Sequence, residues 1–208
     1  MSRGQGYARQ DIQSFGRQLI TTGDLDPIYL ALTRLWSPAS AQLRRWLIAY
    51  WCFYDAGVAC WLSEHPNPAF WPAMLVAARN STSTPFNGRW PRGKERRHFR
   101  GQACITAAHL LCARYEHNPS AMVDYIAQAA PDFVQVTKRA QEHTLFGPWI
   151  GFKIADMINS VLKIPVDFTN AAIFMFKDPQ EAALRYWRER LGVPPIAQPK
   201  CLEEALNG

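Results

Sequence analysis

Apolar residues recur at helical spacing along most of the chain, and no segment alternates as a half-buried strand would. The clearest stretch runs from Gly147 to Asp167, where a Gly-Pro turn precedes apolar residues spaced three and four apart. Gly151 within it permits a close backbone approach or a positive φ. Pro165 ends the helix and leaves Asp167 at a boundary, where functional side chains tend to lie. The pattern predicts an all-α fold.

Two helix-start signals define the first third of the chain. Asp24 or Asp26, followed by Pro27, begins a first helix. Ser37, as an N-cap, opens a long helix that reaches Leu62, with Gly57 as a candidate interruption. This helix is apolar nearly all round, which places it at the centre of the fold. Further helices are predicted at about 66–76, 95–115, 120–129, 131–143 and 178–191.

The chain is long enough and apolar enough to fill a packed interior, with 208 residues, 48% apolar and 12% aromatic. We expect one helical domain over residues 24–191, built from two lobes that share a cleft. Residues 1–23 should be a mobile N-terminal segment, and the proline-containing residues 192–208 should extend over the surface.

Charge and hydropathy narrow the choice of partner and compartment. A net charge of +6 and a pI of about 9.2 are compatible with an anionic partner. No apolar run approaches the length of a membrane span, and no secretory signal opens the chain. We therefore expect a cytoplasmic monomer that does not contact a membrane.

The five cysteines favour a reducing compartment rather than a disulfide framework or a metal site. Two pairs are each eight residues apart, which on a helix predicts one buried face per pair, and no Cys-x-x-Cys occurs. We expect core cysteines and no bound metal or cluster. They are Cys52, Cys60, Cys104, Cys112 and Cys201.

The most charged part of the chain is the arginine-rich segment from Arg89 to Gly101, RWPRGKERRHFRG. It holds six cations and one anion, a local charge of +5, and spans a predicted loop-to-helix junction. The N–H groups and dipole at a helix start favour an anion there, and guanidinium groups bind phosphate oxygens in pairs. A charge run is usually only a solvated face, but the interleaved Trp90 and Phe99 favour a binding role.

The stretch from Gly147 resembles the helix-hairpin-helix of the DNA glycosylase superfamily, through Gly151-x-Lys153 at a helix start and Val166-Asp167 beyond it. The resemblance implies hairpin amides that hold a DNA phosphate, a lysine that can attack the sugar, and an aspartate beside a flipped nucleotide. The residues that it implies for DNA binding are Gly147, Trp149, Gly151, Lys153 and Asn170.

This stretch departs from the superfamily pattern in three places. Trp149 stands where the first hairpin glycine is expected, and Phe168-Thr169-Asn170 replaces the common Thr-His. The spacing from Lys153 to Asp167 is 14 residues, a few fewer than usual. The plainer alternative is a helix with a structural lysine and a helix-capping aspartate.

A wider resemblance joins the arginine-rich segment with WCFYDAGVACWLSE from Trp51 and WIGFKIADMI from Trp149. Together they are similar to the α-glutamyl/putrescinyl thymine pyrophosphorylase family of phage amino acid:DNA transferases, over about Leu30 to Leu191. The resemblance implies a glycosylase-like fold that acts in the host cytoplasm on DNA carrying pyrophosphorylated hydroxymethyluracil. There a free amino acid or polyamine attacks the base and pyrophosphate leaves. Which amine is used stays open.

The implied reaction assigns binding roles to two sets of residues. A base within a duplex must be extruded to be reached, and the aromatic residues suited to stack on it are Trp51, Tyr54, Trp90 and Trp149. A leaving pyrophosphate requires preorganised cations. The candidates are Arg89, Arg92, Lys94, Arg96, Arg97 and Arg100. We expect no cofactor beyond a divalent cation, such as magnesium, that could accompany the pyrophosphate.

The incoming amine must lose a proton before it attacks, so a base is needed. Asp167 is the first candidate, followed by His98 and Glu95, and Lys153 would contact a phosphate or the substrate. Two rival functions use the same residues. In a base-excision glycosylase Lys153 would attack the sugar with help from Asp167, and in a non-catalytic module the basic segment and hairpin would only bind DNA.

Overall fold

The computed structural model describes residues 26–80, 99, 101–171 and 181. Within these ranges the chain forms eight helices and no strand, which confirms the all-α prediction. The helices are α1 Pro27–Leu35, α2 Ala41–Phe53, α3 Ala56–Ser63, α4 Asn67–Asn80, α5 Gly101–Tyr115, α6 Ser120–Ala127, α7 Phe133–Gln141 and α8 Pro148–Ser160. The predictions for residues 1–23 and 192–208, and for a helix at 178–191 apart from the helical Glu181, lie outside the described residues.

The first and last described helices begin at the proline signals in the sequence. The Asp26 carboxylate caps α1 by accepting the Ile28 N–H at 3.1 Å, with Pro27 in the first turn. Gly147 is the N-cap of α8, and Pro148 opens that helix. These starts follow from the sequence because proline suits a position whose N–H has no helical acceptor.

The prediction of one helix from Ser37 to Leu62 is wrong at its start and in its middle. The N-cap is Ser40, whose hydroxyl accepts the Leu43 N–H at 3.3 Å. The helix ends at Tyr54, which has a left-handed φ of 50°. A new helix begins because the Asp55 carboxylate accepts the Val58 N–H at 2.9 Å, a capping bond that competes with continuation of the helix.

The central position predicted for this region is confirmed for α2. All residues from Trp46 to Phe53 are buried, and α3, α6 and α8 pack against that helix. A helix that is buried all round forms the core of a fold rather than its surface. None of the described helices is long and apolar enough to cross a membrane.

The break at Tyr54 also corrects the prediction that both cysteine pairs are buried. Cys52 is buried on α2, whereas Cys60 on α3 is exposed, because the two residues no longer share one helix. Cys104 is buried and Cys112 is partly buried. All four are free thiols, and Cys201 lies outside the described residues.

The helix that follows the arginine-rich segment begins later than predicted. Phe99 lies in a bend and the helix starts at Gly101, so the prediction of a start near residue 95 is wrong at Phe99. Gly101 has a φ of 63°, a conformation that glycine adopts at little cost. Phe99 is buried edge-on against Phe53, with ring centroids 5.4 Å apart.

Candidate functional site

The last two described helices pack together as a helical hairpin. α7 and α8 pack against each other and are joined by residues 142–147. Gly151 lies at their contact, where an added Cβ would stand 3.4 Å from Thr137 Cβ and 3.5 Å from the Thr137 carbonyl oxygen. Its φ is not positive. The predicted positive φ is therefore wrong, and a Cβ would still make only ordinary contact with α7, so neither predicted reason requires glycine here.

A buried histidine fixes the hairpin to α5. The Nδ1 of His143 lies 3.0 Å from the Ala140 carbonyl oxygen and its Nε2 lies 2.8 Å from the Tyr115 hydroxyl. Because a carbonyl only accepts, Nδ1 carries the proton and Nε2 accepts from the hydroxyl. Burial lowers the pKa of His143, which favours this neutral form. Sequence reasoning missed His143, since a lone histidine gives no spacing signal.

The start of α8 presents backbone amides without a side-chain cap. Gly147 makes no capping bond, and the first-turn N–H groups of a helix have no helical acceptor. This arrangement suits a phosphate oxygen, as the resemblance implied. An open cavity of about 490 Å³ lies beside it, lined by residues 141–147. Neither Lys153 nor Asp167 lines that cavity.

Lys153 points away from the hairpin, towards α1. Its Nζ donates to Asp26 Oδ2 at 2.9 Å, lies 3.7 Å from Asp156 Oδ2 and stands 4.3 Å from the centroid of the Tyr29 ring. The Tyr29 hydroxyl in turn donates to Asp156 Oδ2. Sequence reasoning missed Asp26, Tyr29 and Asp156 as site residues, although Asp156 stands three positions after Lys153.

Two aromatic contacts bring Phe99 and the start of α8 to the same end of α2. Phe99, within that segment, packs on Phe53, the last residue of α2. Tyr54, the next residue, meets the Trp149 ring edge-on at 5.0 Å. Tyr54 and Trp149 are each partly buried, so both keep exposed ring surface. Trp51 is fully buried, which contradicts a stacking role for it.

Asp167 lies in an exposed turn beyond α8, beside the residues that precede α7. Its Oδ1 accepts the Thr169 hydroxyl at 2.6 Å and the Thr169 N–H at 2.9 Å, and its own N–H donates to the Pro131 carbonyl. These Thr169 donors hold the pKa of Asp167 below its usual value. Asn170 is exposed in the same turn. No hydrogen bond or ion pair of the described residues joins Asp167 with Lys153.

The remaining predicted site residues lie outside the described part of the chain. They are Arg89, Trp90, Arg92, Lys94, Glu95, Arg96, Arg97, His98 and Arg100. Among the residues that are described, no three or more histidine, cysteine, aspartate or glutamate side chains are grouped so as to hold a metal ion.

Comparison with known proteins places the chain in a family. Residues 20–205 match the family described as amino acid:DNA transferase. The chain is also 50% identical, over 194 residues, to a protein of Pseudomonas phage PaMx11 named glycinyltransferase. That match covers 93% of this chain and 65% of the phage protein, so the chain spans slightly less than two thirds of its relative's length. The chain belongs to the amino acid:DNA transferase family.

Proposed function

We propose that the protein transfers an amino acid to a pyrophosphate-activated thymine in DNA, and that the amino acid is glycine. The amine nitrogen bonds to the methylene carbon on the base, the carbon–oxygen bond breaks, and pyrophosphate leaves with the electron pair. Family membership supports the class of reaction, and the name of the phage relative supports glycine. The activated base is the substrate that the sequence resemblance implied.

The observation that carries this proposal is that Phe99 and Trp149 contact adjacent residues at the end of α2. Phe99 anchors the end of the arginine-rich segment on Phe53, and Tyr54 contacts Trp149 at the start of α8. Transfer requires cations for the leaving pyrophosphate close to aromatic surface for the base. These contacts attach the two regions to adjacent residues of one helix end, as such a site would need.

The roles then divide between the two regions. Guanidinium groups of the arginine-rich segment stabilise the departing pyrophosphate, and Tyr54 with Trp149 stacks on the extruded base. The amides after Gly147 hold a backbone phosphate of the DNA. Of the candidate bases, Asp167 is ionised at neutral pH, since its pKa is lowered, but it is exposed to water.

The excision alternative requires a neutral lysine, because an ammonium has no lone pair with which to attack a sugar. Lys153 instead donates a hydrogen bond to Asp26 at 2.9 Å and lies 3.7 Å from Asp156, so two carboxylates hold its side-chain nitrogen. This environment suits a binding cation better than a nucleophile. A non-catalytic DNA-binding module would have the same hairpin and the same ion pair, so the two functions differ in whether pyrophosphate is released.

One assay separates the three functions. The protein is incubated with glycine and with DNA that contains 5-pyrophosphoryloxymethyluracil. The DNA is then digested, and the masses of its nucleosides are measured by mass spectrometry. We expect pyrophosphate release and a base that has gained glycine. DNA carrying only hydroxymethyluracil is the matched control and should stay unchanged. An abasic site would establish excision instead, and retarded DNA without any chemistry would establish a binding module. Glutamate and putrescine in parallel reactions test whether glycine is the preferred amine.

A further inference from the structure

The face of α8 that meets α1 holds one ammonium group between two carboxylates. Lys153 Nζ lies 2.9 Å from Asp26 Oδ2 and 3.7 Å from Asp156 Oδ2, above the ring of Tyr29. The Lys153 side chain is only 12% exposed, and the two carboxylate side chains are 29% and 31% exposed. Carboxylate oxygens and an aromatic face are the groups that bind an ammonium ion in proteins.

This cluster has more acidic groups than its lysine needs. One carboxylate neutralises one ammonium, and a second partly buried charge adds a desolvation cost. Asp156 is nevertheless kept in place by a hydrogen bond from the Tyr29 hydroxyl. Burial raises the pKa of Tyr29 far above its ordinary value, so this hydroxyl remains a donor at any working pH. Ser160 also donates to Asp156 Oδ1, at 3.4 Å, so hydroxyl donors fix in place one carboxylate more than the charge of Lys153 requires.

The cluster lies on the same helix face as the aromatic pair. Trp149, Lys153 and Asp156 stand at positions i, i+4 and i+7 of α8, so they form one stripe along the helix. Trp149 at the head of this stripe touches Tyr54, where the base is proposed to stack. Lys153 stands about one helical turn from Trp149 along α8, so a small molecule bound at Lys153 would be near that base.

We propose that Asp26 and Asp156 bind the ammonium group of the incoming amino acid in the position that the Lys153 ammonium occupies in the structure. Lys153 then pairs with the carboxylate of the amino acid, because an ion pair is complementary in charge to a zwitterion. This inference rests on the proposed function and names the residues that take up its second substrate. It assigns the base to Asp156 rather than to Asp167.

Transfer then requires one proton transfer and one displacement. The ammonium of the bound amino acid gives one proton to the Asp156 carboxylate, and the nitrogen gains a lone pair. That lone pair forms the bond to the methylene carbon while pyrophosphate departs with the electrons of the broken carbon–oxygen bond. The new secondary ammonium loses its extra proton to water as the product leaves, and protonated Asp156 likewise releases its proton to water, which restores the carboxylate for the next turnover.

Three substitutions test the assignment with little change in fold. Asp156→Asn keeps an acceptor for the Tyr29 hydroxyl, and Asp26→Asn keeps a good N-cap for α1. Lys153→Gln removes the cation for the substrate carboxylate. The matched control is Asp124→Asn, since Asp124 also pairs with a cation, Arg44 at 3.0 Å, but does so between α2 and α6.

The measurement is steady-state transfer to pyrophosphorylated DNA, with glycine and DNA varied separately. Asp156→Asn should lower kcat/KM for glycine by about 10²-fold or more, with KM for DNA within about threefold of wild type. Asp26→Asn should raise KM for glycine about tenfold, and Asp124→Asn should match wild type. Wild type should prefer glycine over 2-aminoethanol, which lacks a carboxylate, and Lys153→Gln should abolish that preference.

The possible failures are distinct. If wild type transfers glycine while Asp156→Asn and Asp26→Asn keep its KM and kcat, the inference is overturned and the proposed function stands. The same holds if Lys153→Gln still prefers glycine over 2-aminoethanol. If wild type transfers no amine to the activated DNA, the proposed function is overturned and the inference is overturned with it.

Discussion

The two sides of α8 differ in the kind of residues that they carry. The side that meets α1 and the end of α2 has Trp149, Lys153 and Asp156, which are all partly buried and all held by polar or aromatic partners. The side that meets α7 has Gly151 at the helix contact, and the residues buried around it are apolar. One side of α8 therefore carries charged and aromatic groups, whereas the other side packs against α7.

Asp167 belongs to the α7 side. Phe168 beside it packs against Phe133 of α7 and Phe152 of α8, and the carboxylate bonds only within its own turn to Thr169. A position just beyond a helix made Asp167 the leading base in the sequence. The comparison teaches that such a position predicts neither shelter from water nor a partner.

The largest effect should come from removing the cation on the α1 side. Lys153→Met leaves Asp26 and Asp156 facing each other without a cation, and we expect transfer to fall by about 10²-fold or more. The free energy of unfolding should fall by about 2 kcal/mol, less than for a fully buried pair. Lys138→Met, at an exposed position of α7, is the control. Glycine transfer and urea unfolding measure the two effects.

The same lysine distinguishes transfer from excision. Borohydride traps the Schiff base that a lyase lysine forms with an opened sugar. We expect no trapped protein–DNA complex. A complex that forms with wild type and disappears in Lys153→Ala would contradict the assignment of Lys153 as a binding cation.

On the α7 side, the size of the residue at position 151 should determine the stability of the protein. A Cβ at Gly151 would lie in ordinary contact with Thr137, so Gly151→Ala should fold and gain up to about 1 kcal/mol from helix propensity. Gly151→Leu should push α7 from α8 and cost about 1–3 kcal/mol. Thermal unfolding of the pair checks this. A stable Gly151→Leu protein would show that the helices do not need their close approach.

Asp167→Asn should have a smaller effect on transfer than any change at Asp156. Asparagine keeps an acceptor for both Thr169 donors, so the turn and the fold should persist. We expect transfer within about tenfold of wild type, below the usual loss for a positioned acid–base group. A loss of about 10²–10⁴-fold would instead make Asp167 the base, as the sequence alone predicted.

The smallest effect should be a change in titration alone. Thr169→Val removes the hydroxyl that contributes most to lowering the pKa of Asp167, so that pKa should rise towards its ordinary value. Because the folded pKa is depressed, the stabilisation from this turn is present at neutral pH and is lost as the pH falls through the lowered pKa. Carboxyl NMR titration measures the shift, and transfer at neutral pH should stay unchanged.

Much of the helical order was predictable because it is encoded locally. Pro27 and Pro148 mark helix starts, and the apolar run before Phe53 marks the core helix. An interruption of this helix was expected at Gly57, but the break lies at Tyr54, because apolar residues continue up to it and a single capping aspartate, Asp55, starts the next helix.

The site was predictable only in part. Trp149 and Lys153 were named from a motif, and the structure places both beside charged or aromatic partners. Asp26 comes from a helix 127 positions away in sequence from Lys153, so no local pattern could link them. Asp156 could have been predicted from the sequence, because its spacing from Trp149 and Lys153 puts all three on one helix face.

The most direct test of proton transfer on the α1 side is the pH dependence of glycine transfer by Asp156→Asn, measured beside Asp167→Asn and wild type. Glycine that arrives already deprotonated needs no base, so the deficit of Asp156→Asn should shrink as the pH rises towards the pKa of the free amino group. The Asp167→Asn profile should run parallel to wild type. A deficit that shrinks with pH in Asp167→Asn, while Asp156→Asn parallels wild type, would contradict the account.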